Sequence, residues 1–203
     1  MKVKIQSPDK IITAKKKKKN LRIMIDMDGV CSFWVKAACD IFDLDMNDKD
    51  LRKKILENTG KFEKAVDKSD EEMWEKIGKA GIEFWSGMEL LPWAKRLWKE
   101  MRKISEEVSF LSSPSDVPTC AQGKVEWINK NFDTKDFIIT PRKKYCASKN
   151  CLLIDDQKKQ IKRFEDGGGH GFLWPDPIAL FDEEDLLEET FEKLHKKIDK
   201  LID

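Results

Sequence analysis

Five short apolar runs set the limits on how this chain can fold. Leu21–Ile25, Val108–Leu111, Phe137–Ile139, Cys151–Ile154 and Gly171–Trp174 have strand length and show no clean alternation of polar and apolar residues. A strand wetted on one face alternates, whereas one covered on both faces reads as continuously apolar, the mark of a parallel sheet. Helical patterns lie between the runs. Pro92 opens one at its first turn, followed by Trp93, Leu97, Trp98, Met101 and Ile104 at three- and four-residue steps. Lys124–Asn131 and Gln157–Asp166 are shorter helices, and the last stretch, 183–202, sets Leu187, Phe191, Leu194, Ile198 and Leu201 on one stripe. Strand alternating with helix predicts an α/β, doubly wound, Rossmann-like domain with a parallel sheet.

One interval breaks the alternation. From Ser32 to Leu91 there are helical patterns and no convincing strand: Phe33, Ala37, Ile41 and Phe42 mark one helix, Leu51 with Ile55 a second, and Met73, Trp74 and Ile77 a third. The expected organisation is a basic leader over 1–20, an α/β core from 21–31 and 92–203, and a small helical cap inserted as 32–91.

The composition narrows the function. Charged residues make up 38% of the 203, yet they nearly cancel to a net +1, so bulk charge gives little case for a nucleic-acid binder. The run Lys15–Lys19 lacks interleaved aromatics and reads as a solvated leader. No apolar run approaches membrane-spanning length and no signal-peptide pattern precedes the first strand, so a cytoplasmic protein without a membrane partner is expected. The five cysteines are odd in number and contain no C-x-x-C pair, as fits reduced thiols.

In open α/β sheets, ligands gather outside the carboxyl ends of the strands, so the residues that follow each run carry the chemistry. The first run ends in Asp26 and Asp28, the second in Ser112 and Ser113, and the fourth in Asp155 and Asp156. Thr140, Arg142, Lys143 and Lys144 follow the third. Each feature has a bland explanation alone, as a turn, a helix cap or a solvated surface. Together they form a set of acids, hydroxyls and cations suited to a phosphoryl group held with a hard cation such as Mg²⁺. Crowded carboxylates raise one another's pKa, and a metal relieves that repulsion. Gly29 lets the backbone turn tightly behind the acids. Trp34, eight residues past Asp26, together with Phe84 and Trp85, either faces the cleft as a stacking surface for a nucleobase or forms the cap's own core. His170 and His195 read as structural.

Asp26-Met27-Asp28-Gly29-Val30, then Ser112, a lysine, and Leu153-Ile154-Asp155-Asp156 resemble the haloacid dehalogenase (HAD) superfamily of phosphohydrolases. Within it the chain is most similar to the 5′(3′)-deoxyribonucleotidases, through DMDGV, Ser113-Pro114 with the later GKVEWINKNF, LLIDD and GGHGFLWP. The resemblance covers roughly residues 21–175 and includes the helical insertion. It implies an Mg²⁺-dependent phosphomonoesterase acting on (deoxy)nucleoside monophosphates, with a sugar phosphate or a polynucleotide end as the alternative substrate. A homodimer is an allowed assembly.

The same resemblance implies the roles. Asp26 is the nucleophile that forms an aspartyl-phosphate, and Asp28 the acid and base. Ser112 and Lys143, with Lys144 as the alternative, bind phosphoryl oxygens. Mg²⁺ is held by Asp26, Asp28 (through its carbonyl) and Asp156, with Asp155 either an outer ligand or the orienter of the lysine. Substrate contacts are expected from Trp34, Phe84, Trp85, Ser113, Lys124 and Arg142.

Overall fold

The computed structural model describes residues 21–58, 61–183 and 185–202. The Lys15–Lys19 leader lies outside the described residues. Strands β1 (Arg22–Ile25), β2 (Glu107–Ser112), β3 (Phe137–Ile139), β4 (Cys151–Asp155) and β5 (His170–Leu173) form one sheet in the order β3-β2-β1-β4-β5. Every pairing is parallel. The apolar runs therefore became strands, with β1, β2 and β4 covered on both faces and the edge strands β3 and β5 leaving Ile138 and Leu173 exposed. Ile23, Ile25, Phe110, Leu152 and Ile154 join the main core on one side. Met24, Leu111, Cys151, Leu153 and Phe164 form a smaller cluster on the other. Neighbouring residues divide between the two faces, as the two-residue period of a strand demands.

Between β1 and β2 the chain forms α1 (Trp34–Ile41), α2 (Lys49–Glu57), α3 (Phe62–Ala65), α4 (Asp70–Ser86) and α5 (Ala94–Ile104). Asp48 caps α2, accepting from the amides of Asp50 and Leu51. Ser69 and Glu72 form a reciprocal capping box on α4, which breaks its helical geometry at Gly81. Helix α5 begins at Ala94, two residues later than the Pro92 signal suggests. The remaining helices are α6 (Cys120–Phe132), α7 (Lys158–Asp166), α8 (Pro177–Asp182) and α9 (Leu186–Ile202), with a 3₁₀ turn at Lys143–Cys146.

The chain enters and leaves the α1–α4 segment through two stretches that pair with each other. Phe33 N–H donates to the Glu89 carbonyl, and Leu91 N–H to the Cys31 carbonyl, both at 2.9 Å. Two buried indoles tie these stretches to their neighbours: Trp93 Nε1 donates to the Val30 carbonyl and Trp127 Nε1 to the Met88 carbonyl. The segment then lies down on the core where α4 crosses α6. At that crossing a Cβ on Gly123 would stand 2.5 Å from Trp85 Cβ, so only glycine admits the approach.

Candidate active site

The strand order reverses direction between β1 and β4, the place where an open parallel sheet leaves a crevice at its carboxyl edge. Ile25 is in register with both Phe110 and Ile154, so the chain leaves all three strands at nearly one level. Asp26 N–H still donates to the Ile154 carbonyl at 2.8 Å, which holds Asp26 beside Asp155. The chain then turns sharply. Cys31 and Ser32 N–H both donate to the Met27 carbonyl at 2.8 Å, and Gly29 takes φ 74°. A Cβ on Gly29 would lie 2.2 Å from Asp156 Oδ2, so the glycine serves both the turn and the close approach of the second acidic pair.

Two buried lysines organise the acids. Lys143 is 2% exposed, and its Nζ lies 2.7 Å from both Asp26 Oδ1 and Asp155 Oδ2. The contact to Asp155 is a hydrogen bond, whereas that to Asp26 has ion-pair distance without hydrogen-bond alignment. Burial alone would push this ammonium's pKa down, but the carboxylates of Asp26 and Asp155 outweigh it and hold the pKa above its ordinary value. Asp155 is fully buried, with Oδ2 taken by Lys143 and Oδ1 accepting from Gln157 N–H at 2.9 Å. Both of its oxygens are therefore engaged, one of them by the lysine.

Lys124 is the second. Its Nζ donates to Asp28 Oδ2 at 2.6 Å, Ser112 Oγ at 3.0 Å and the Ser113 carbonyl at 2.6 Å. All three N–H bonds of the ammonium are thus committed. Ser32 Oγ donates to Asp28 Oδ1 at 3.1 Å, so both oxygens of Asp28 are fixed. Sequence reasoning placed Lys124 among the substrate contacts and did not single out Ser32. The only signal for Ser32 was its position four residues past Asp28, and any chain has some residue there.

Asp26, Asp155 and Asp156 each present a carboxylate oxygen within 4.8 Å of the others. Burial pushes the Asp26 carboxyl up to about 7, with Asp155 and Asp28 adding to the rise and Lys143 and Lys124 opposing it. Burial, then the charges of Asp26 and Asp155, raise Asp156 well above the carboxylate range. Asp156 Oδ1 is buried and has no hydrogen-bond partner. Asp26 and Asp156, each with a buried carboxylate oxygen that lacks a hydrogen-bond partner, are hard donors that fit a small divalent cation, whose charge would offset the repulsion.

A cavity of about 550 Å³ opens over this cluster, within the size range of small-molecule sites. Asp28, Gly29, Ser113, Lys124, Asp156 and Gln157 line one part of it, and Trp34, Phe62, Met73, Trp74 and Trp85 another. Asp26, Ser112 and Lys143 are buried beside the lining residues and are not part of the lining. Trp34 packs edge-on to Phe62 and Phe84, with ring centroids 5.7 and 6.3 Å apart. Ser113 Oγ and Trp85 Nε1 are buried without a hydrogen-bond partner.

Phe84, Arg142 and Lys144 stand apart from both the cavity wall and the buried cluster of lysines and carboxylates. Phe84 is buried against Trp85, with ring centroids 4.8 Å apart, and does not line the cavity. Arg142 and Lys144 are exposed and flank the ring of Tyr145. The 3₁₀ turn explains the divergence, because its tight pitch points adjacent lysines in different directions, Lys143 inward and Lys144 to solvent. His170 Nε2 meets the Lys149 carbonyl, and His195 Nε2 meets Glu100, both away from the cluster.

Comparison with known proteins bears on the family and the fold. Over residues 19–183 the chain matches the sequence profile of the family described as 5′ nucleotidase, deoxy (Pyrimidine), cytosolic type C protein. No curated protein matches. Among solved structures, YfnB of Bacillus subtilis, described as a HAD-hydrolase bound to magnesium, superposes with a TM-score of 0.50 at 13% identity over 76% of this chain and 86% of that one. A hydrolase from Streptococcus pneumoniae TIGR4 gives 0.49 at 14% identity over 80% and 97%. At such identities the likeness to YfnB speaks for the fold, and the family rests on the profile match, which spans most of the chain. The chain belongs to the 5′ nucleotidase, deoxy (Pyrimidine), cytosolic type C family.

Proposed function

We propose that the protein is an Mg²⁺-dependent phosphomonoesterase for nucleoside monophosphates that works through an aspartyl-phosphate on Asp26. The observation that carries the reading is the Lys143 bridge. One buried ammonium sits 2.7 Å from the nucleophile candidate and 2.7 Å from a carboxylate whose other oxygen is already bound. When the substrate arrives, Lys143 keeps Asp155 and exchanges Asp26 for a phosphoryl oxygen. This frees the Asp26 carboxylate to attack phosphorus and supplies charge where the transition state needs it.

Ser112 Oγ, which accepts from Lys124, and Ser113 Oγ, which has no partner, bind the remaining phosphoryl oxygens in this reading. Asp28, fixed by Ser32 and Lys124, gives a proton to the leaving oxygen and then takes one from the water that attacks the aspartyl-phosphate. Asp26 and Asp156, with the Asp28 carbonyl, would hold Mg²⁺, which when bound neutralises phosphoryl charge. YfnB, solved with magnesium, supports that choice of ion.

The helical segment over 32–91 supplies the wall that chooses the substrate. Trp34, Phe62, Trp74 and Trp85 line the same cavity as Asp28 and Lys124, an arrangement that suits a flat base attached to a phosphate. A screen of phosphorylated metabolites, run with Mg²⁺ and with chelator, tests the reading. Nucleoside monophosphates should rank first, and chelation should abolish release. A preference for sugar phosphates or polynucleotide ends, or full activity in chelator, would contradict it.

A further inference from the structure

Beside the cleft lies a surface that the chemistry above does not use. Lys158, Lys159, Lys162 and Arg163 are all exposed on α7, on the side opposite Ile161 and Phe164, which pack against the sheet. The 3₁₀ turn at Lys143–Cys146 packs on the far end of the same helix: a Cβ on Gly167 would lie 2.9 Å from the Lys144 carbonyl oxygen. That turn and its flanks add exposed Arg142, Lys144 and Lys149. None of these seven side chains is within ion-pair distance of a carboxylate among the described residues.

Several lysines on other helices are paired. Lys36 pairs with Asp40, Lys79 with Glu75, Lys193 with Glu189 and Lys196 with Glu192, each one helical turn apart. Helix α7 also exposes Glu165 and Asp166, so the seven cations stand with two acids, a local excess that the whole-chain charge of +1 hides.

An exposed aromatic stands within the excess. Tyr145 is 69% exposed. Its hydroxyl accepts from Arg142 Nη1 at 2.9 Å, and Arg142 and Lys144 lie 5.8 and 5.7 Å from its ring centroid. A phenol ring held in solvent between two cations offers a stacking face beside charges that can follow a phosphate chain. The stripe on α7 starts immediately after Gln157, which lines the cleft.

We propose that this face binds single-stranded nucleic acid, with the α7 cations along the phosphates and a base stacked on Tyr145. A single strand fits better than a duplex or an anionic membrane. Only a single strand has unpaired bases to lay on an isolated aromatic, and one ring among cations offers no apolar area to insert into lipid.

Fluorescence anisotropy with the full chain and a labelled oligothymidylate lacking a terminal phosphate tests the proposal without involving catalysis. With about four phosphates contacted, affinity should fall about 50-fold between about 50 and about 200 mM salt. The quadruple variant Lys158→Gln, Lys159→Gln, Lys162→Gln, Arg163→Gln should weaken low-salt binding more than about tenfold and flatten its salt dependence. Tyr145→Ala should weaken it about tenfold while leaving the salt slope unchanged. Both variants should melt like the wild type and release phosphate from a nucleoside monophosphate at the wild-type rate. Binding that survives either variant within about twofold would place the contact elsewhere, for instance on Lys15–Lys19, and overturn the proposal. So would tighter binding to phosphatidylserine vesicles or to an acidic peptide than to the oligonucleotide.

Discussion

Lys124 Nζ lies 2.6 Å from Asp28 Oδ2, a contact that joins residues 96 apart in sequence and leaves the ammonium 2% exposed. Its other two hydrogen bonds go to Ser112 Oγ and the Ser113 carbonyl, so one side chain from α6 ties together the carboxyl ends of β1 and β2. The proposed acid is therefore aimed by a residue from a helix that supplies no other group to the reacting centre.

Lys124→Met keeps most of the side-chain volume and removes the charge. With Asp28 no longer held, kcat for a nucleoside monophosphate should fall about 10²-fold. The first step with p-nitrophenyl phosphate should suffer much less, because its leaving group departs without a proton, although hydrolysis of the aspartyl-phosphate should slow for both substrates. The burst of p-nitrophenolate in rapid mixing decides the matter, and a burst slowed as much as the first step with the nucleotide would mean that Lys124 acts on the phosphoryl group instead.

The two acids at the end of β4 should separate cleanly. Asp155 has both oxygens engaged and is fully buried, so Asp155→Asn strips a partner from buried Lys143. A cost of about 3 kcal/mol, or roughly 6–12 °C in Tm, is expected. Asp156→Asn removes a strained acid whose Oδ1 has no partner, so its metal-free Tm should not fall. The Mg²⁺ concentration for half-maximal activity should rise instead. Thermal melts and magnesium titrations of the pair check this.

Much of this arrangement was legible before any coordinates. Short apolar runs alternating with helical patterns read as strands of a parallel sheet, which puts the polar residues that follow them along one edge, although the outer runs left Ile138 and Leu173 exposed. What the sequence withheld was direction. Lys143 and Lys144 are neighbours of one type, and only the 3₁₀ turn decides which side chain points inward. Phe84 and Trp85 are likewise adjacent aromatics, both buried, and only the fold shows that Trp85, packed on Gly123, lines the cavity while Phe84 does not. Helix α8 escaped notice because six residues are too few to establish a period. The i,i+4 step cannot reveal Ser32, whose contact with Asp28 depends on the turn at Gly29.

The cap aromatics give a paired test. Trp34 lines the cavity, so Trp34→Ala should raise KM for nucleoside monophosphates about ten- to a hundredfold while changing p-nitrophenyl phosphate turnover little. Phe84 is buried away from the lining, so Phe84→Ala should cost about 3–5 kcal/mol of stability and leave the ratio of the two activities near its wild-type value. Calorimetry with parallel kinetics distinguishes the two residues, and a Trp34 variant that loses both activities together with its melting temperature would assign that ring to packing.

The division of labour between the two acids of β1 is most directly tested by trapping the intermediate. In Asp28→Asn the attack by Asp26 survives with a good leaving group, whereas hydrolysis of the aspartyl-phosphate loses its base. Rapid mixing of this variant with p-nitrophenyl phosphate and Mg²⁺, followed by acid quench and intact-mass analysis, should show one added phosphoryl group. Peptide mapping should place that group on Asp26, and the Asp26→Asn variant should show no adduct and lose at least about 10³-fold in kcat, roughly 4 kcal/mol of barrier. A phosphoryl group on any other residue, or an Asp26→Asn enzyme that still turns over, would contradict Asp26 as the nucleophile.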